Sequence, residues 1–158
     1  NPTYYLDLFA ALKKGDDDQT PWTPAINLAI GWVAALQELV DETLEERWKR
    51  CSRMADGARN LFSDLGFTLF AEQGCRSDTV TSILYPEGFD DSWRMRLQNE
   101  YNTHVIGAQD HMKGKMFRIG SMGNTTIAEM IEGCRRMIEC FRELGLNLDE
   151  INVASYFE

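Results

Sequence analysis

The residues from Thr23 to Gly66 restrict the fold of this chain more than any other stretch. No proline occurs between Pro24 and Pro86, so no proline interrupts a helix there. Apolar residues recur at three- and four-residue intervals, which is the period of an α-helix. Thr23 is a suitable N-cap, Pro24 suits the first helical position, and Gly66 suits a left-handed C-terminal position. The pattern predicts one long helix over 24–65.

The predicted helix changes in character along its length. Its first half, from Ile26 to Leu39, is apolar on nearly every side. Its second half carries charges on one face, namely Glu42, Glu45, Glu46, Arg47, Lys49, Arg50 and Arg53. A helix of this kind begins inside one packed body and ends on the flank of another. We interpret it as a connecting helix whose apolar half needs a partner.

The remainder of the chain has the pattern of a small α+β domain. Runs of apolar and β-branched residues predict strands at 67–71, 79–85, 104–106 and 115–120. Asp90 or Asp91 is placed to cap the helix that follows the second of these strands. Thr126 and Glu129 predict the capping box of a last helix, which Gly145 closes.

These elements assign the fold class as α+β. A long connecting helix is followed by a small, mainly antiparallel sheet of three to four strands, with helices on one face. The tail over 146–158 is moderately apolar, which suits docking, but the sequence indicates no surface on which it would dock.

Composition and charge exclude several classes of function. A net charge of −9 argues against a nucleic-acid partner, which requires clustered Lys and Arg. No apolar run approaches the length of a membrane span. The four cysteines include no C-x-x-C pair and only two histidines are present, so zinc-type ligand spacing is absent. Buried free thiols, Cys134 among them, indicate a reducing, cytoplasmic compartment.

Two places carry side chains suited to binding. The turn over 19–24 sets two Thr hydroxyls at a helix start, where backbone N–H groups and the helix dipole attract anions such as phosphate. The same residues also serve simply to begin a helix. Arg118 lies in an apolar strand beside glycines, which suits bidentate binding of a carboxylate. The same pattern also fits an arginine that is exposed to solvent on an edge strand. No nucleophile and base are paired, so the residues alone indicate no complete active site.

Two stretches resemble the class V, fold-type I aminotransferases that use pyridoxal phosphate, and in particular the alanine–glyoxylate and serine–pyruvate group. They are 20–28 (TPWTPAINL) and 116–124 (MFRIGSMGN). The resemblance also extends to the order of elements over nearly the whole chain. It implies that this chain is the C-terminal part of such an enzyme, which would move an amino group between a small amino acid such as alanine or serine and a 2-oxo acid such as glyoxylate or pyruvate.

The resemblance also implies roles for individual residues. Thr20 or Thr23, helped by Gln19, would bind the phosphate of the pyridoxal phosphate held by the neighbouring subunit of a homodimer. Arg118 would bind the α-carboxylate of the substrate. Gln109 would lie in the loop near the substrate entrance.

The parts of the enzyme implied by the resemblance divide the chain at two positions. Residues 1–23 would end the large cofactor domain and include the phosphate-contacting turn. Residues 24–65 would be the connecting helix, and 66–158 the small C-terminal domain. The Schiff-base lysine would precede Asn1, on a missing N-terminal domain or chain, so the chain alone would be inactive.

Other functions remain open from the sequence. Another class V enzyme, such as a phosphonate-linked transaminase or a lyase, would use the same Arg118. A module that only dimerises or binds a ligand, without catalysis, is the alternative of a different class.

Overall fold

The computed structural model describes residues 4–158. The helices and strands are α1 (Leu8–Gly15), α2 (Ile26–Glu42), α3 (Leu44–Asp64), β1 (Val80–Leu84), α4 (Asp91–Tyr101), β2 (Ile106–Gly107), β3 (Met116–Gly120) and α5 (Ile127–Glu143). Short 3-10 turns occupy Asp110–Met112 and Val153–Phe157. The chain divides into two compact units, Asn1–Leu44 and Glu45–Glu158. The division falls inside the predicted connecting helix, and the assignment of 1–23 to a cofactor domain stays a prediction.

The predicted single helix over 24–65 is interrupted at Thr43. This residue has φ 73° and ψ 151°, which is outside the helical region and unusual for a β-branched side chain. The prediction of an unbroken helix was therefore wrong. The sequence pattern conceals the break, because the apolar spacing continues across it from Val40 to Leu44.

The predicted start of the long helix was also wrong in detail. The helix α2 begins at Ile26 and its N-cap is Ala25, with no side chain bonded to the first-turn N–H groups. Thr23 and Pro24 lie before the helix instead of forming its cap and first residue. Ile26 N donates to Pro24 O at 2.8 Å, and the first-turn N–H groups after it have no side-chain cap, so these are the ones open to other acceptors.

The helix α2 buries none of its side chains. Its large apolar residues are exposed, among them Leu28, Ile30, Trp32, Val33 and Val40. Along 4–158, no helix combines the length and apolar character needed to cross a membrane. The exposed apolar surface is the one that the sequence predicts to need a partner.

The sheet of the second unit is antiparallel and has the order β1-β3-β2. The predicted strand over 67–71 was wrong, because that segment forms only an isolated bridge between Leu69 and Ile83. Backbone bonds still run from Phe70 N to Ser82 O and from Leu84 N to Thr68 O. The segment therefore pairs antiparallel with β1, but over too few residues to make a strand.

Helices cover one face of this sheet. The buried side chains of α3, α4 and α5 pack with residues of β1 and β3, including Ile83, Phe117 and Ile119. An aromatic cluster lies at the centre, where the Trp93 ring stacks on Phe141 with centroids 4.1 Å apart. The predicted α+β class, with helices on one face of a small antiparallel sheet, is confirmed.

Local signals for helix ends were confirmed. Asp90 is the N-cap of α4 and accepts from Ser92 N at 2.8 Å. Thr126 and Glu129 form the complete capping box of α5. Gly66 and Gly145 have φ +85° and +92°, in the left-handed region that glycine adopts without strain.

All four cysteines are free thiols, as predicted. Cys51, Cys134 and Cys140 are buried, whereas Cys75 is exposed. Burial raises the pKa of the Cys134 thiol to about 12, so this thiol stays protonated and inert at neutral pH.

The tail packs against α3 within the second unit through its last residues. Phe157 is buried in the core, and its carbonyl accepts a hydrogen bond from Arg53 Nε at 2.6 Å. The Tyr156 hydroxyl donates to Asp64 Oδ2 at 2.7 Å. Gly57 of α3 makes this docking possible, because a Cβ there would lie 2.5 Å from Phe157 Cδ1 and 2.7 Å from Tyr156 O.

We expect Gly57→Ala to destabilise the second unit by about 1–3 kcal/mol, because the added methyl group must displace the tail. Gly133→Ala in α5 is the matched control, since a Cβ there meets nothing within 4 Å. It should stabilise by about 1 kcal/mol, the ordinary gain of alanine over glycine in a helix. Urea denaturation of both variants checks the prediction, and changes of the same sign would contradict it.

Candidate functional site

Arg118 lies on the central strand of the sheet. In the antiparallel register it is opposite Ser82 of β1 and Ile106 of β2. The buried Phe117 and Ile119 precede and follow it. Because side chains alternate along a strand, Arg118 points to the face opposite the helix-covered core. The reading as an edge-strand arginine is therefore wrong.

The guanidinium of Arg118 is held by one backbone carbonyl. Its Nε and Nη2 donate to Gly107 O at 3.1 and 2.7 Å. Both N–H groups of Nη1 and the second of Nη2 have no partner among residues 4–158, where no acidic side chain pairs with Arg118. A half-buried guanidinium with this free edge can bind a carboxylate through two parallel hydrogen bonds.

Gly107 is closely surrounded by the start of α4. A Cβ at this glycine would lie 3.0 Å from Asp91 Oδ1 and 3.3 Å from Arg94 Nε. The Asp91 carboxylate accepts from the Tyr85 hydroxyl at 3.2 Å and from Arg94 Nε at 3.4 Å. Burial, with the charge of Asp91 beside it, raises the pKa of the Tyr85 phenol well above its ordinary value, so Tyr85 remains a hydrogen-bond donor.

Gln109 is exposed and lies two residues beyond Gly107. It precedes the 3-10 turn Asp110–Met112, and its carbonyl accepts from Met112 N at 3.1 Å. The structure thus brings the loop of Gln109 beside Arg118 through the Gly107 carbonyl. A role for Gln109 at the substrate entrance stays a prediction.

The loop after β3 is fixed by residues that the sequence did not single out. Arg50 of α3 donates to Gly123 O at 2.9 Å and to Thr125 O at 2.5 Å. The Ser121 hydroxyl donates to Asp78 O at 2.9 Å. No local motif marks these contacts, because each joins residues more than forty positions apart in the chain.

The turn over 19–24 belongs to the first unit. Its side chains at Gln19, Thr20 and Thr23 are exposed. The Thr20 hydroxyl donates to Trp22 O at 2.6 Å, which occupies its only proton. The Thr23 hydroxyl has no hydrogen-bond partner within the described part of the chain, and it stands before the uncapped start of α2.

Comparison with known proteins gives relatives of one main kind. The chain is 41% identical over 152 residues to an uncharacterized aminotransferase of Methanocaldococcus jannaschii, across 95% of this chain and 40% of that protein. It is 36% identical over 114 residues to the serine–glyoxylate aminotransferase of Hyphomicrobium methylovorum, across 71% of this chain and 28% of that protein. A protein named as the small subunit of a soluble hydrogenase, from a Synechococcus species, is 30% identical over 145 residues, across 91% of this chain and 38% of that protein.

Solved structures agree with the sequence relatives. The alanine–glyoxylate aminotransferase of a Nostoc species superposes with a TM-score of 0.80 at 28% identity, across 89% of this chain and 38% of that one. No family model matches the sequence. The chain spans about two fifths of the length of the Methanocaldococcus and Synechococcus relatives. Apart from the relative named as a hydrogenase subunit, these homologues and structural neighbours are class V aminotransferases, and the chain corresponds to a part of such an enzyme, in keeping with the predicted C-terminal part.

Proposed function

We propose that this chain contributes the substrate-carboxylate site of an aminotransferase that uses pyridoxal 5'-phosphate. The enzyme would move an amino group between a small amino acid such as alanine or serine and a 2-oxo acid such as glyoxylate or pyruvate. The observation that carries this proposal is the guanidinium of Arg118, fixed by Gly107 O at 3.1 and 2.7 Å with its remaining N–H groups unpartnered among the described residues. Amino acids and 2-oxo acids share the carboxylate that such a group binds.

Arg118 binds and orients both substrates in this proposal. Its charge is not cancelled by an acidic neighbour among residues 4–158, so a substrate carboxylate gains the full charge-assisted interaction. The rigid central strand holds the guanidinium before the substrate arrives, which reduces the entropy lost on binding. Gln109, exposed at the edge of the adjoining loop, would contact the substrate on entry.

The donors in the turn over 19–24, together with the start of α2, fit the phosphate of the cofactor. Phosphate groups favour helix starts with free N–H groups and hydroxyl donors, and the start of α2 has no side-chain cap. We assign the hydroxyl contact to Thr23, because the proton of Thr20 is used by Trp22 O. Gln19 would assist from the same turn. Bound pyridoxal phosphate supplies the electron sink for amino-group transfer, while these residues only hold it.

The apolar surface of α2 supports a homodimer joined to a cofactor domain. Leu28, Val40 and Trp32 are 76%, 70% and 68% exposed, and contiguous apolar surfaces of this kind mark protein interfaces. Sedimentation at micromolar concentration tests this part of the proposal. A well-behaved monomer would contradict it.

The cofactor assignment is tested by co-expressing the chain with the part of the enzyme that carries the lysine. The visible absorbance of bound cofactor should appear in the assembled protein and be absent from the chain alone. Thr23→Val should weaken cofactor affinity by roughly 10- to 100-fold, the value of one hydrogen bond to a charged group. Thr20→Val is the matched control and should have the smaller effect. The reverse order would assign the phosphate to Thr20, and no effect of either would refute a phosphate contact in this turn.

A further inference from the structure

We infer that Gly107 is a positioning residue for Arg118: its carbonyl sets the direction of the guanidinium, and the Asp91 carboxylate occupies the place where a side chain would otherwise stand. The inference rests on the proposed function, because it gives a second residue a part in binding the substrate carboxylate. It adds to that function the requirement that residue 107 be glycine, because a side chain there would collide with Asp91.

The first step is the bond between Arg118 and the carbonyl. Nε and Nη2 both donate to the same oxygen, at 3.1 and 2.7 Å. A guanidinium is planar and rigid, so two bonds from the Nε/Nη2 edge to one oxygen define the direction of the adjacent Nη1/Nη2 edge. A displaced Gly107 carbonyl must therefore turn or release the edge that meets the substrate.

The second step is the confinement of Gly107. On one side, Gly107 pairs with Phe117 of β3, whose side chain is fully buried in the core. On the other side are Asp91 Oδ1 and Arg94 Nε, at 3.0 and 3.3 Å from the position of a Cβ. These distances are shorter than ordinary van der Waals contacts between such atoms.

The third step is the reason that Asp91 does not simply move aside. Its carboxylate is held by the Tyr85 hydroxyl and by Arg94 Nε. Its backbone is held because Asp90 caps α4 through Ser92 N. The strand β2 is only two residues long, so few ladder bonds resist its displacement. A methyl group at 107 should therefore move β2 and its carbonyl in preference to α4.

The test compares Gly107→Ala with the double variant Asp91→Ala/Gly107→Ala. Gly133→Ala is the control, because it is the same substitution at a position where the added Cβ meets nothing within 4 Å. The first readout is the NMR signal of the Arg118 Nε–H in the full chain, which reports its bond to the carbonyl without any substrate. The second is the split between KM and kcat for an amino-acid substrate in the assembled enzyme.

We expect Gly107→Ala to shift the Nε–H signal and to raise KM by roughly 10- to 100-fold, the range that follows from misplacing a binding group by about 1 Å, with a smaller effect on kcat. The double variant should recover much of the signal and of KM, because the Asp91 carboxylate, the nearer of the two groups that confine the methyl group, is then gone. Gly133→Ala should change neither readout.

An unchanged Nε–H signal in Gly107→Ala would overturn the inference whatever the function. So would a double variant no better than the single one, since the clash with Asp91 would then not be the cause. A shifted signal that the double variant restores supports the positioning role. If KM stays unchanged both in Gly107→Ala and in Arg118→Lys while the Nε–H signal shifts, the carboxylate role of Arg118 is refuted instead. Failure of the inference and failure of the proposed function are therefore distinguishable.

Discussion

Replacing Arg118 with alanine is expected to weaken binding of the amino-acid substrate by about 2–4 kcal/mol, the effect of losing a charged hydrogen-bonding partner. This corresponds to an increase of roughly 30- to 700-fold in the dissociation constant. Arg118→Lys should lie between wild type and alanine, because lysine keeps the charge but lacks the planar fork. Substrate dissociation constants in the assembled enzyme provide the measurement.

Two controls make the Arg118 result specific. Arg135→Ala removes an exposed arginine of α5 whose nearest acid, Glu132, is 3.9 Å away, and should leave substrate affinity unchanged. The amide of alanine lacks the carboxylate, so Arg118→Ala should lose its preference for alanine over that amide. Equal losses of affinity for alanine in the Arg118 and Arg135 variants would refute the carboxylate site.

The largest loss of stability is expected from Trp93→Ala, at about 3–5 kcal/mol. Trp93 is fully buried, and its ring contacts Phe141 and Phe117 with centroids 4.1 and 4.7 Å apart. Such a loss is a large part of the roughly 5–15 kcal/mol that stabilises a typical domain. Urea unfolding followed by far-UV circular dichroism measures it.

Trp93→Phe is the matched variant for this prediction. It keeps an aromatic ring and removes the Trp93 Nε1 group, which is buried without a hydrogen-bond partner among the described residues. Removing the unpaired donor offsets part of the stability lost with the smaller contact area. The loss of stability should therefore be clearly smaller than for Trp93→Ala. A loss below about 1 kcal/mol for Trp93→Ala would show that the aromatic cluster is not the centre of the core.

The sequence identified the elements whose signals are local. The capping box of Thr126 and Glu129 and the cap at Asp90 each form between residues two or three positions apart. The strands β1 and β3 were recognised from their β-branched and apolar residues. Arg118 was recognised as a candidate because a charged residue within an apolar strand is unusual in itself. The resemblance in two short stretches then indicated the family.

What tertiary structure alone decided are the contacts between distant residues. The hydrogen bonds from Arg118 to Gly107, the docking of Phe157 against Gly57, and the reduction of 67–71 to one bridge depend on groups brought together by folding. The break at Thr43 and the cap at Ala25 were likewise hidden, because helical periodicity reports which residues share a face and does not report where the backbone leaves the helix. Local hydrogen bonds and side-chain spacing depend on residues that are neighbours in the sequence. The orientation of the Arg118 guanidinium depends instead on the Gly107 carbonyl, which only the completed sheet places beside it.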